Sequence, residues 1–145
     1  MKNTITFSCK IGTTDASAPL GIEVWIDDQQ VLDLAHVKET TDCHAEINDD
    51  DGEHELRFVL KNKTIDHTQI NESGQIIKDA CLTVNEVTFD DIALGHTFIE
   101  KTKYTHNFNG TQEEITENFY GAMGCNGTVK LAFTTPIYLW LLENM

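Results

Sequence analysis

The residues able to do chemistry in this sequence are six histidines, four cysteines and 24 carboxylates. Their spacing is what limits them. His36, His44, His54, His67, His96 and His106 show no i, i+4 pair, and neither H-E-x-x-H nor G-x-S-x-G occurs. A helical zinc site and a nucleophile elbow are therefore not encoded locally. His44 and His54 are the pair that a hairpin would set face to face as transition-metal ligands; the alternative is ordinary surface or core histidines. Cys9, Cys43, Cys81 and Cys125 are far apart with no C-x-x-C, which argues for free thiols rather than a metal knuckle. Two carboxylates in a cleft would suffice for glycoside hydrolysis, but 24 acids offer no way to select two, and no cleft-forming elements are evident. The expectation is a protein that is not an enzyme.

Two further uses of these side chains remain. Hard cations want several carboxylate and carbonyl oxygens, and Asp27, Asp28, the run from Asp49 to Glu53, Asp79, Asp90 and Asp91 are the candidate calcium ligands. The competing reading is that these acids form turns and solubilise, so no cofactor is assigned and calcium is the one metal kept in view. Trp25 sits in "GIEVWID" opposite the apolar positions Ile22, Val24 and Ile26. A large ring among polar neighbours is a candidate glycan contact; packing under a loop is the plainer alternative.

Composition narrows the partners. The net charge is −14, from 10 basic and 24 acidic residues. Such a surface repels phosphate backbones, so no nucleic acid is expected. Arg57 is the sole arginine. No apolar run approaches the ~20 residues of a membrane helix, so no membrane partner is expected either. The first fifteen residues alternate polar and apolar without a signal-peptide core, which points to synthesis in the cytoplasm.

The elements that must position these residues are strands. Period two dominates: Ile5, Phe7, Cys9 and Ile11; Ile22, Val24 and Ile26; Leu56, Phe58 and Leu60; Leu82 and Val84; Val129, Leu131 and Phe133. Each set predicts the buried face of a half-buried strand. Turn signals separate them at Asp27-Asp28, Asn48 to Gly52, Asn71 to Gly74, Asp90-Asp91, Asn109-Gly110 and Asn126-Gly127. Asn126-Gly127 reads as a two-residue hairpin turn. The one helical candidate is "IYLWLLENM", with Thr135 as N-cap and Pro136 in the first turn. These patterns predict an all-β, antiparallel, jelly-roll-like sandwich with at most short helices. It forms a single domain over 1–145 with an apolar C-terminal segment at 136–145. After Pro136 the apolar character is continuous from Ile137 to Leu142. A segment apolar on all sides must be covered on all sides, by the domain's own core or by another subunit.

Two resemblances add to this. "IEVWIDDQQV", "DGEHELRFVLKN" and "KDACLTVNEVTFDDI", within about Ile22 to Gly95, resemble the calcium-dependent xylan-binding carbohydrate modules. Gly52, His54, Leu56, Phe58, Leu60 and Asn62 match that family's spacing. The resemblance implies a sandwich with a calcium site that uses an Asp directly after the Asn. Lys63 stands there instead, with Asp79 as a later acidic candidate. In the C-terminal half, "VNEVTFDDIALGH", "YTHNFNG" and "GCNGTVKLAFTTPIYLWLLENM" resemble small virion structural proteins of marine tailed phages, cyanophages included.

Together the resemblances lead to a non-enzymatic virion structural protein. It would decorate a capsid or join a tail assembly, and would be synthesised in the host cytoplasm. Its partners would be other virion proteins, a capsid or tail protein, or copies of itself. Tyr138, Leu139, Trp140 and Leu142 are the candidate subunit contact. The alternative is a carbohydrate-binding module that attaches a particle or enzyme to a polysaccharide.

Overall fold

The computed structural model describes residues 4–63, 68–70, 72–73, 76–107 and 112–144. In chain order the first strands are β1 (Thr4–Thr13), β2 (Gly21–Ile26), β3 (Gln29–Leu34), β4 (Thr41–Asn48) and β5 (Glu53–Lys61). The next are β6 (Thr68–Ile70), β7 (Ile76–Asp79), β8 (Leu82–Phe89) and β9 (Ile92–Ala93). Helix α1 (His96–Lys101) precedes β10 (Thr102–His106), β11 (Ile115–Asn118), β12 (Ala122–Met123), β13 (Gly127–Thr134) and helix α2 (Ile137–Asn144). Every strand pairing is antiparallel. One sheet runs β12-β8-β1-β4, with β9 on β8; the other runs β11-β10-β13-β5-β2-β3; β6 and β7 pair with each other. The chain is thus an all-β antiparallel sandwich with two short helices.

Alternation places the core where period two predicts it. Ile5, Phe7, Cys9 and Ile11 are buried from β1, and Leu56, Phe58 and Leu60 from β5. Phe7 meets Phe58 across the sheets at 6.4 Å between ring centroids and Phe89 at 5.9 Å. Phe89 in turn meets Phe133 of β13 at 4.9 Å. Each such side chain contributes about 1.5–3 kcal/mol when fully buried. Asp90 and Asp91 both have positive φ, 50° and 66°, and join β8 to β9 in a two-residue turn with Phe89 opposite Ile92. That is the backbone a tight hairpin requires, and Asp tolerates it. Asp27 (φ 54°) closes the β2–β3 hairpin in the same region of backbone space.

Three local expectations are corrected by long-range pairing. Asn126-Gly127 is not a hairpin turn. β12 pairs with β8 in one sheet and β13 with β10 and β5 in the other, so these residues carry the chain between sheets. His44 and His54 do not face each other, because β4 and β5 belong to opposite sheets. Thr135 does not cap α2: its hydroxyl donates to Asp50 Oδ1 at 3.1 Å and accepts from the Gly52 N–H at 3.1 Å. The first turn of α2 is closed instead by the Pro136 carbonyl, which accepts from the N–H groups of Leu139 and Trp140. The turns expected at Asn109-Gly110 and at Asn71 and Gly74 lie outside the described residues.

Helix α2 shows how the continuous apolar run is covered. Ile137, Trp140 and Leu141 are buried in the sandwich, Trp140 edge-on to Phe133 at 6.4 Å. Tyr138, Leu139 and Leu142 lie on the outer side, 51%, 56% and 79% exposed.

Candidate functional site

The β2 alternation that buries Ile22, Val24 and Ile26 turns Glu23 and Trp25 to the outer face of the six-stranded sheet. A register shift between Val24 and Trp25 against β3 re-aims the ring. Trp25 is half-buried, with Gln30 opposite it on β3 and Arg57 opposite it on β5. Its indole N–H donates to Glu23 Oε1 at 3.1 Å, and the Gln30 amide donates to the same oxygen at 2.9 Å. The Arg57 guanidinium lies 5.5 Å from the ring centroid, a cation–π arrangement. One Arg57 N–H donates to the Asp27 carbonyl at 2.9 Å, and Nε stands 3.4 Å from Glu55, an ion pair too poorly aligned to satisfy that buried N–H. Lys61 donates to Asp33 at 2.6 Å and sits 3.4 Å from Glu23. The Asp33 bond holds its ammonium above the ordinary lysine value.

This is an aromatic face fixed by its own N–H and ringed by hydroxyl-binding amide, carboxylate and guanidinium groups. A tryptophan ring offers a large apolar surface with a polar edge, which suits the C–H face of a pyranose with its hydroxyls directed outward.

A second feature lies at one end of the sandwich, where a cleft of about 410 Å³ is floored by His54, Phe133 and Trp140 and edged by Asp27, Glu53 and Glu55. His54 is almost completely buried, and both its nitrogens are committed: Nδ1 to Asp27 Oδ2 at 2.7 Å and Nε2 to Asp50 Oδ1 at 2.9 Å. Its ring stacks on Phe133 at 5.5 Å. Burial pulls His54 down, but the bonds to Asp27 and Asp50 outweigh it and hold the imidazolium above its ordinary value. The His54 bond in turn holds Asp50 below the usual carboxylate range. With both nitrogens donating to carboxylates, neither is placed to take a proton from a substrate. His54 is a clip that joins the β2–β3 turn to the loop before β5.

Three of the acidic calcium candidates, Asp27, Asp50 and Asp90, are occupied in the same way. Asp27 also accepts from the Glu55 N–H, and Asp50 from the Thr135 hydroxyl. Asp90 accepts from the Thr6 N–H and the Tyr138 hydroxyl. Among the described residues no three His, Cys, Asp or Glu side chains converge as a metal cluster. At Lys63 the ammonium is buried and donates to the Ala80 carbonyl at 2.7 Å. Its backbone is bracketed by the Asn126 amide, which accepts from the Lys63 N–H and donates to the Lys63 carbonyl. A cation of the chain's own already takes a carbonyl oxygen here, so the described residues do not fit a bound calcium at this loop. The Asp79 side chain lies outside the described residues.

Of the four residues predicted as a subunit contact, Trp140 is packed inside its own sandwich, while Tyr138, Leu139 and Leu142 are brought together on the outer side of α2. The Trp25 ring lies on the opposite face of its strand from the core, as its place in "GIEVWID" predicts. Sequence reasoning missed Arg57 and Gln30 as its neighbours, because only the register of three strands brings them to it.

No protein-family model matches the chain, and no curated protein matches it. Among solved structures it is similar to the selenomethionine form of vCBM60, described in connection with a circular permutation linking two families of calcium-dependent carbohydrate-binding modules. The TM-score is 0.55 at 10% identity, covering 88% of this chain and 89% of that one. It is also similar to vCBM60 in complex with galactobiose, with a TM-score of 0.52 at 12% identity, covering 89% of this chain and 97% of that one. At these identities the likeness establishes the sandwich fold.

Proposed function

We propose that this chain is a non-catalytic carbohydrate-binding module whose ligand stacks on Trp25 at the outer face of the six-stranded sheet. The observation that carries the reading is the Trp25 ring itself, half-buried on the outer sheet face and fixed among Glu23, Gln30 and Arg57. The solved structures it resembles over nearly nine-tenths of its length are carbohydrate-binding modules, one of them holding galactobiose. Because Lys63 already supplies a cation at the loop where the resemblance expects calcium, binding at Trp25 proceeds without metal. Affinity electrophoresis through gels cast with a panel of soluble polysaccharides, with and without EDTA, tests this. At least one polymer retards the protein, EDTA leaves the retardation unchanged, and Trp25→Ala removes it without lowering the melting temperature appreciably. No retardation by any polymer, or retardation that Trp25→Ala leaves intact, overturns the reading.

A second reading, that of a virion structural subunit synthesised in a host cytoplasm, finds no support among the similar structures; what bears on it is one surface that a protein partner would cover. Tyr138, Leu139 and Leu142 leave an apolar patch on the outer side of α2, next to Ile92. A capsid or tail protein, or a second copy, would cover it. The two readings use different faces and are separable by mutation.

A further inference from the structure

The outer face of the six-stranded sheet carries a row that no single stretch of sequence contains. Lys103 of β10 is in register with Lys130 of β13, Lys130 with Arg57 of β5, and Arg57 with Trp25 of β2. Asn118 of β11 extends the row at one end and Gln30 of β3 at the other. Three of the ten basic residues in a chain of net charge −14 therefore stand side by side on adjacent strands. Like charges placed directly opposite one another across strands are destabilising, and this fold keeps two such pairs in succession. Lys103 and Lys130 are exposed. Among the described residues Lys103 donates only to the neutral Asn118 amide, and Lys130 has no ion pair or hydrogen bond. The neighbouring row runs Thr116, Thr105, Thr128, Val59, Glu23 and Asp33, with hydroxyls beside the two lysines and carboxylates only at the Trp25 end; on the other side Glu55 lies beside Arg57.

Resting on the carbohydrate-binding reading, we propose that this row selects a carboxylate-bearing polysaccharide, a polyuronate, laid across the strands with one sugar on Trp25 and successive carboxylates over Arg57, Lys130 and Lys103. Strands repeat at about 4.7–4.9 Å across a sheet, close to the length of one pyranose unit in an extended chain. A polyuronate presents one carboxylate per sugar at a fixed spacing, which a lysine row on adjacent strands can follow; the sulfate esters of dextran sulfate, placed irregularly along its chain, have no such register. The planar Arg57 guanidinium is the group suited to a carboxylate next to the stacked ring. At ~0.15 M salt the Debye length is about 8 Å. A ligand over Lys130 and Lys103 then senses the lysines at full strength, while acids farther off than this are screened; Glu55 and Glu23 stand at the Arg57 and Trp25 end of the row and leave the two lysines as its main attraction.

Isothermal titration of the full chain at about 0.15 M salt tests this with polygalacturonate, the same polymer after carboxyl reduction, and dextran sulfate. Polygalacturonate binds at least tenfold more tightly than its reduced form, and dextran sulfate binds no better than the reduced form. Lys130→Gln alone weakens polygalacturonate by about two- to fivefold, the scale of one exposed ion pair. Lys130→Glu with Lys103→Glu abolishes the preference while leaving Trp25-dependent binding of the reduced polymer. Equal binding of the acidic and reduced polymers, with Trp25→Ala removing both, overturns the polyuronate assignment and leaves the carbohydrate reading standing. Tight binding of dextran sulfate shows unselective anion capture and also overturns the assignment. Binding of none of the three polymers overturns it too, and the wider polysaccharide panel then decides the carbohydrate reading separately.

Discussion

Among the described residues Phe133 meets rings from the opposite sheet, from the His54 clip and from α2, and truncating it to alanine tests the packing at that junction. It is 2% exposed on β13 and contacts Phe89 from the opposite sheet, His54 at the clip and Trp140 on α2. A buried aromatic removes ~150–250 Å² from water. At ~25 cal/mol per Å² that is worth about 4–6 kcal/mol, an upper bound because unfolded chains already hide some of it. Part of the benzyl group's contribution survives as the alanine methyl, and the cavity adds its own cost, so the expected loss is about 3–5 kcal/mol. With a urea m-value of about 2 kcal/mol/M, the midpoint falls by about 1.5–2.5 M at unchanged m. Phe133→Leu, which keeps most of the volume, loses less than half as much. A Phe133→Ala loss under about 1 kcal/mol, or a Leu variant as damaged as the Ala variant, refutes the placement of this ring at the junction of the two sheets and α2.

Other expectations follow from the same geometry. His54 is held above its ordinary value in the fold, so its clip contributes stability below the unfolded imidazole value of ~6.5 and loses it as pH rises through the raised folded value. His54→Gln should therefore cost most at about pH 6 and least at about pH 9, and an equal cost at both pH values contradicts the clip. At Lys63, calorimetric titration with calcium should show no micromolar site; micromolar binding that Lys63→Asp leaves unchanged would mean the site lies elsewhere. Leu142→Asp on the open side of α2 should change stability by no more than about 0.5 kcal/mol. If the assembly reading holds, the same change dissolves a discrete oligomer seen by native mass spectrometry, and a wild-type monomer that binds no particle removes that reading.

Much of the fold was legible because half-buried strands alternate. In β1, β2, β5 and β13 every second residue is apolar, and those are the residues found in the core. Which strands pair was not legible. β5 meets β13, more than sixty residues later, through contacts that leave no local trace. For the same reason Asn126-Gly127 looked like a hairpin although it crosses between sheets, and His44 and His54 looked like partners although they sit in different ones. Thr135 had the right type for a helix cap, yet its hydroxyl is claimed by Asp50 and the Gly52 N–H. The outward face of Trp25 could be read from parity along its strand. Its setting could not: Arg57, Lys130 and Lys103 are scattered through the sequence and become neighbours only through register. The division of α2 into buried and open sides was hidden because nearly every position in it is apolar.

The most direct test of glycan binding at Trp25 is a pair of indole N–H resonances. The chain has two tryptophans, Trp25 on the outer sheet face and Trp140 buried against Phe133. In a ¹H–¹⁵N titration with oligosaccharides of the polymer that retards the protein, the Trp25 indole signal should move together with the amides of β2, β3 and β5 around it, while the Trp140 indole stays in place. Saturable shifts confined to α2 or to the loop at Lys63, with the Trp25 indole unmoved, would contradict the account.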